Sequence, residues 1–249
     1  MKFAYIFTLA GLTLAGFLAN SAAAADQPAA TAPDTLGTAI REYILQHPEV
    51  LVESLQRYQE NQKAAGVERS RQAIAAHEAD LFADPSSPAT GKGGANSVTI
   101  VAFLDYRCGY CKRVEPTLMK LIESNPNVHV VFKEFPILGP DSLLAAKAAL
   151  AANNQNAYLK MHERLMATSE SITIETINKL AGSLGLDLMK LREDMESPAV
   201  QQAIQRNAEL GAAINIGATP TFIAGGELAA GALDAAAFEK LIAKVQAGQ

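Results

Sequence analysis

The chain has 249 residues, 49% of them hydrophobic, and a formal net charge of −5, so it is long enough to bury a sizeable core. Its mild acidity and the lack of a basic stripe interleaved with aromatics exclude nucleic acid as a partner. It has two cysteines, Cys108 and Cys111, which excludes a disulfide-stapled framework: such proteins carry several pairs, and a loop this short constrains little of the unfolded chain.

In chain order, Lys2, an apolar run from Phe3 to Leu18 and the small residues Ser21 to Ala25 read as a secretory signal peptide over 1–25. A membrane anchor fits less well, because the run falls short of a span of about 20 residues. Export to the periplasm is the expected localisation. A Pro/Ala/Thr-rich tail, expected to be disordered, covers 26–33.

Asp34 is a candidate N-cap for a helix with Leu36, Ile40, Tyr43 and Ile44 on one face. His47-Pro48 should stop it, since proline lacks the donor and disfavours α conformation in the residue before it. A second helix then starts near Pro48 with a stripe of Leu51, Leu55 and Tyr58, Val52 lying beside it. Residues 34–62 thus form an amphipathic helical module, followed by a polar, alanine-rich helical linker over 63–83 with Gly66 as a possible joint. The module's apolar face needs a partner, either the chain's own domain or a second copy of the chain.

Asp84 to Ser97 is a loop by composition. Val98 to Leu104 reads as a buried strand, Gly109 to Ser124 as a helix with Pro116 inside it, and Val128 to Phe135 as a second strand. The C-x-x-C pair lies at the strand-to-helix turn of this βαβ unit, where the motif reads as thioredoxin-like redox chemistry. Unpaired N–H groups and the positive end of a helix dipole favour a thiolate, and Arg107 and Lys112 add positive charge. The expected roles are attack by Cys108 and resolution by Cys111. A zinc site would want four ligands, and the four histidines His47, His77, His129 and His162 lack ligand spacing.

Gly139-Pro140-Asp141 ends the unit, with Asp141 or Ser142 expected to cap the next helix. From there to Leu210 the pattern is helical, with breaks at Asn153-Asn154, Thr168-Ser169, Gly182, Gly185 and Ser197-Pro198. Met161, Met166, Met189 and Met195 read as core filler. A strand over 217–224, a Gly225-Gly226 turn, a return strand over 227–230 and a closing helix capped by Asp234 complete the chain.

Phe103-x-Asp105-Tyr106-x-Cys108-Gly109-Tyr110-Cys111-Lys112, then Lys133-Glu134-Phe135-Pro136-Ile137-Leu138-Gly139, then Thr219-Pro220-Thr221-Phe222 resemble the DsbA family of bacterial thiol–disulfide oxidoreductases. Ile40 to Leu51 is similar to the extra module of the suppressor-of-copper-sensitivity C (ScsC) subgroup. The resemblance implies an α/β architecture: a thioredoxin fold over 84–137 and 213–249, an inserted helical domain over 138–212, and the N-terminal module ahead of both.

It further implies a Thr219-Pro220 cis peptide facing the sulfurs, with Gly109 and Tyr110 setting the dithiol's character and no cofactor beyond the Cys108–Cys111 disulfide. Many relatives carry an acid on the strand beneath the cysteines, where this chain has Ala102. Proton transfer at Cys111 is therefore expected to use water or another acid, Asp105 or Glu134. Gly-Tyr also replaces the Pro-His of the strongest oxidants, so the reduced form should be less favoured; about 30 mV corresponds to roughly 1.4 kcal/mol.

The expected function is a homo-oligomeric, trimeric disulfide isomerase or reductase. It would act on unfolded or misoxidised envelope proteins and be kept reduced by a membrane thiol reductase. The alternatives are a monomeric dithiol oxidase and a Cu(I)-binding protein of copper tolerance using the two sulfurs as soft ligands.

Overall fold

In the computed structural model, residues 34–90 and 97–247 are described; the expected signal peptide and tail lie outside them. The chain divides into two units, 1–56 and 57–249. In the first, the Asp34 carboxylate accepts the Gly37 N–H at 2.9 Å and starts α1 (Thr35–Gln46), which ends at His47. Helix α2 (Glu49–Ala76) begins directly after Pro48. No residue of α1 is buried, and Leu36, Ile40, Tyr43, Leu51, Leu55 and Tyr58 are all at least half exposed.

Gly66 is no joint: α2 runs unbroken through it to Ala76. One glycine costs a helix only about 1 kcal/mol, which neighbours of high helix propensity offset. The break comes at His77, before the short α3 (Glu78–Phe82).

The second unit is built on a four-stranded sheet of order β2-β1-β3-β4. Strand β1 (Val98–Leu104) runs parallel to β2 (Val128–Glu134) and antiparallel to β3 (Thr221–Ala224), which pairs with β4 (Glu227–Ala230). Helix α4 (Gly109–Ser124) makes the β1–β2 crossover that parallel strands require. Between β2 and β3 lie α5 (Pro140–Asn153), α6 (Tyr158–Ala167), α7 (Ile174–Ser183), α8 (Leu188–Met195) and α9 (Pro198–Ala213); α10 (Ala235–Ala247) closes the chain, its first turn capped by Asp234 at 2.8 Å. The architecture is the expected α/β thioredoxin fold with helices inserted between its halves.

Alternation along β1 divides the core in two, as a strand buried on both faces dictates. Ile100, Ala102 and Leu104 join Cys111, Val114 and Leu118 of α4 and most of the inserted helices. Val101 and Phe103 face the other way, toward Ile74, Leu81, Phe135, Leu210 and Ile214. The stretch expected as linker therefore contributes Ile74 and Leu81 to this second core.

Three expectations need correction. The cap of α5 is Gly139, with Pro140 in the first turn, and neither Asp141 nor Ser142. Proline's fixed φ starts the helix one residue earlier, which frees Ser142 for another role. Met189 is 77% exposed, at the start of α8, while Met161, Met166 and Met195 are core. Strand β3 begins only at Thr221, because the residues before it form the loop that faces the cysteines.

Lys133 points to the second core and is almost wholly buried. Its ammonium donates to Asp84 Oδ2 at 2.8 Å, Ser87 Oγ at 2.8 Å and the Asp80 carbonyl at 2.7 Å. Burial alone would raise the Asp84 carboxyl, but the Lys133 bond and those from Ser86 and Ser87 hold it well below the usual carboxylate range. Burial likewise lowers the Lys133 amine against the pull of Asp84. Lys133→Ala should destabilise the protein by about 3 kcal/mol in urea unfolding, because Asp84 would lose its cation. A change under about 1 kcal/mol would mean that the pair is solvated like a surface bridge.

Candidate active site

The site forms where β1 hands over to α4. Cys108 is the N-cap of α4, with an extended backbone, and its sulfur accepts the Cys111 N–H at 3.4 Å. The same sulfur lies 3.2 Å from the Thr219 carbonyl oxygen, to which the thiol donates. The Thr219-Pro220 peptide is cis, as the resemblance implied. Its loop is held by the Gly231 N–H on the Pro220 carbonyl at 2.8 Å and by Thr221 Oγ1 on the Ala218 carbonyl at 2.8 Å. The fold thus brings together Cys108, Cys111, Thr219 and Pro220 from segments over a hundred residues apart.

The two sulfurs differ in access. Cys108 is 6% exposed and Cys111 is 0% exposed. Burial pushes the Cys111 thiol well above the ordinary thiol range, and the neighbouring Cys108 adds to this. Gly109 has open space around its Cα, and Tyr110, 58% exposed, stands outside with the Arg113 guanidinium 4.9 Å over its ring. Lys112 reaches back to donate to the Thr168 carbonyl, and burial with the nearby Arg107 charge lowers its amine. This arrangement offers one slightly exposed sulfur at a helix N-terminus and, behind it, one with no exposure, the division of labour that exchange through a mixed disulfide needs.

Asp105, which the sequence offered as a proton acceptor for Cys111, is fully occupied. Its carboxylate accepts from the Arg107 N–H at 2.7 Å, the Ile137 N–H at 2.9 Å, the Leu138 N–H at 3.0 Å and Ser142 Oγ at 2.7 Å. Four donors use the acceptor capacity of a carboxylate, so Asp105 ties the cysteine turn to the Ile137–Leu138 loop and to α5.

Glu134 ends β2 inside a buried polar network that sequence reading did not reveal as a whole. Its Oε1 accepts from Tyr106 and Tyr158, each at 2.7 Å. Tyr106 also meets His162 Nδ1 at 2.9 Å, and His162 Nε2 lies 3.2 Å from Glu115 Oε2. Burial pushes Glu134 up to about 7, opposed by His162 and the two tyrosines. The folded protein therefore holds a proton that the unfolded chain, with an ordinary glutamate near 4.3, has already lost. Stability should fall as pH rises from about 4.5 to about 7, by on the order of 3 kcal/mol, and level off above. Urea midpoints from pH 5 to pH 8 test this: Glu134→Gln should flatten the decline, and an unchanged slope would remove Glu134 as its cause.

Comparisons with known proteins agree with this geometry. Residues 99–243 match the DSBA-like thioredoxin domain, and residues 34–65 match the copper resistance protein ScsC N-terminal domain. The solved structure of the catalytic domain of Proteus mirabilis ScsC is 30% identical, covers 71% of this chain and 98% of its own, and superposes with a TM-score of 0.64. Disulfide bond formation protein D of Bacillus subtilis is 27% identical over 54% of this chain and 65% of that protein.

The Na(+)/H(+) antiporter NhaA 3 of Salinispora tropica is 30% identical over 52% of this chain, which spans only 20% of the antiporter's length. Among the described residues no helix is long and apolar enough to cross a membrane. With its dithiol at the strand-to-helix turn and a match covering more than half its length, the chain belongs to the DSBA-like thioredoxin domain family of disulfide oxidoreductases, carrying an N-terminal segment of the ScsC type.

Proposed function

We propose that this oxidoreductase is an oligomeric disulfide isomerase and reductase of the periplasm. Cys108 attacks a wrong disulfide in an unfolded or misoxidised envelope protein, held as an extended strand against Thr219-Pro220. The mixed disulfide is then resolved by a second substrate thiol, completing isomerisation, or by Cys111, completing reduction. A membrane thiol reductase returns the dithiol to its reduced form.

One observation carries the choice of isomerase. Leu36, Ile40, Leu51 and Leu55 lie open to solvent in the first unit, and Tyr58, at the start of the second, is exposed as well; all fall in the segment that matches the ScsC N-terminal domain. A soluble chain seldom leaves so many large apolar side chains unpartnered, and an assembly of three such stripes would bury them. Several dithiols held together can take and return disulfides on one client before it diffuses away.

A second reading, a monomeric dithiol oxidase, draws on the likeness to disulfide bond formation protein D. Reactivation of scrambled ribonuclease, run beside oxidation of a reduced peptide, separates the two. The isomerase reading expects reactivation to dominate; fast peptide oxidation without reactivation would overturn it.

A further inference from the structure

The turn that carries the dithiol is flanked by cations. Arg107 precedes Cys108 and is exposed, Lys112 follows Cys111, and Arg113, the next residue, is exposed as well. Side chains on a helix lean toward its N-terminus, and Arg113 follows that rule: its guanidinium lies 4.9 Å over the ring of Tyr110, the residue between the two cysteines that stands in solvent. Burial and then the Arg107 charge lower the Lys112 amine, so these two cations act on one another across the turn. The N-terminus of α4, capped by Cys108, adds a partial positive charge at the same point.

The acids nearby do not cancel this charge. Asp105 is buried with its charge spread over four donors, and Glu115 is buried against His162. Asp141 meets Arg107 only at 3.6 Å, with both side chains half-exposed. Glu170, two residues from the carbonyl that Lys112 reaches, is held by Lys179 at 2.7 Å. Among the described residues neither Lys112 nor Arg113 has an acid partner: the first rests on the Thr168 carbonyl and the second on the Tyr110 ring. The neighbouring segments 136–139 and 217–220 carry no charged residue.

A disulfide approaching Cys108 therefore meets positive potential, although the chain as a whole carries −5. The two fields favour opposite clients: the net charge draws cationic ones, the turn anionic ones. Where the Debye length is about 10 Å, the charges beside the reacting sulfurs outweigh those spread over the rest of the surface.

We propose that Arg107, Lys112 and Arg113 form an anion-selecting rim around Cys108, and that its preferred clients are disulfides whose cysteines are flanked by Asp or Glu. The Cys108 thiolate forms a bond to one sulfur of the client disulfide, and the other sulfur leaves with the electron pair as a thiolate. The three cations attract the client's carboxylates and offset the negative charge that the exchange carries. The rim rests on exchange at Cys108, which the isomerase and oxidase readings share.

Three blocked tripeptides with a central cysteine, flanked on both sides by Glu, Gln or Lys, test the rim as homodimeric disulfides. Each is mixed with the reduced protein, and release of peptide thiol is followed by acid quench and chromatography. Each rate is divided by that of the same peptide with dithiothreitol, a neutral dithiol, which removes differences in the peptides' own reactivity. In about 0.1 M salt the Glu peptide should exceed the Lys peptide by about tenfold, and in about 1 M salt by less than about twofold.

Arg107→Gln combined with Arg113→Gln should bring the ratio in about 0.1 M salt to about two or below, and Asp141→Asn, which frees Arg107, should raise it by about twofold. A ratio of two peptides cancels any change in the reactivity of the sulfur itself. Equal rates for the Glu and Lys peptides, or a faster Lys peptide as the net charge alone predicts, would overturn the rim, and so would a ratio that persists in the double variant. Exchange with none of the three peptides, Gln included, would instead overturn the dithiol activity at Cys108 on which the rim rests.

Discussion

Cys108→Ser should lower reduction of insulin disulfides by more than about 10³-fold, whereas Cys111→Ser should still attack and then stall. The asymmetry follows from the geometry. Cys108 caps α4 at the edge of solvent beside the Thr219 carbonyl, so a substrate disulfide can reach its sulfur. Cys111 sits behind it with no surface of its own, so it cannot replace Cys108 as the attacking group. Non-reducing gels and intact mass would show Cys111→Ser accumulating mixed disulfides with added substrate and Cys108→Ser accumulating none. Adducts on both variants in similar yield would contradict the assigned roles.

Leu51→Glu with Leu55→Glu should cut scrambled-ribonuclease reactivation by about tenfold or more while leaving insulin reduction near wild type. Both side chains are more than half exposed on α2, so neither substitution removes a buried core side chain. Placed on an assembled stripe, each glutamate would have to be desolvated beside its copies, at a cost of several kcal/mol. Loss of assembly should abolish exchange between neighbouring dithiols and spare a single dithiol's reduction of an open substrate. Reactivation that persists in a variant shown to be monomeric would detach isomerisation from the N-terminal module.

Much of the fold was legible because local chemistry and tertiary structure agree. The Val98–Leu104 run, the helix after the cysteines, the His47-Pro48 break and the Gly225-Gly226 turn lie where turn and capping rules put them. The dithiol was legible for the same reason, since its spacing and strand-to-helix context are both local.

What escaped depends on partners far apart in sequence. Asp105 and Glu134 were visible as acids near the site. Their roles, however, are set by Ser142 in α5 and by Tyr158 and His162 in α6, and helical periodicity does not encode how an inserted domain docks. Glu115, which meets His162, lies in a helix whose sequence drew notice only for its cysteines and Pro116. Gly66 and Met189 misled in the opposite sense, because each was read by residue type alone, without the neighbours that carry α2 through Gly66 or the position that leaves Met189 in solvent.

The mass of the protein in solution, by light scattering at micromolar concentration, tests the proposed function most directly. The proposal predicts a particle of three chains that falls to one chain in the Leu51→Glu, Leu55→Glu variant. A wild-type protein that is monomeric across the concentration range would contradict it and favour the oxidase.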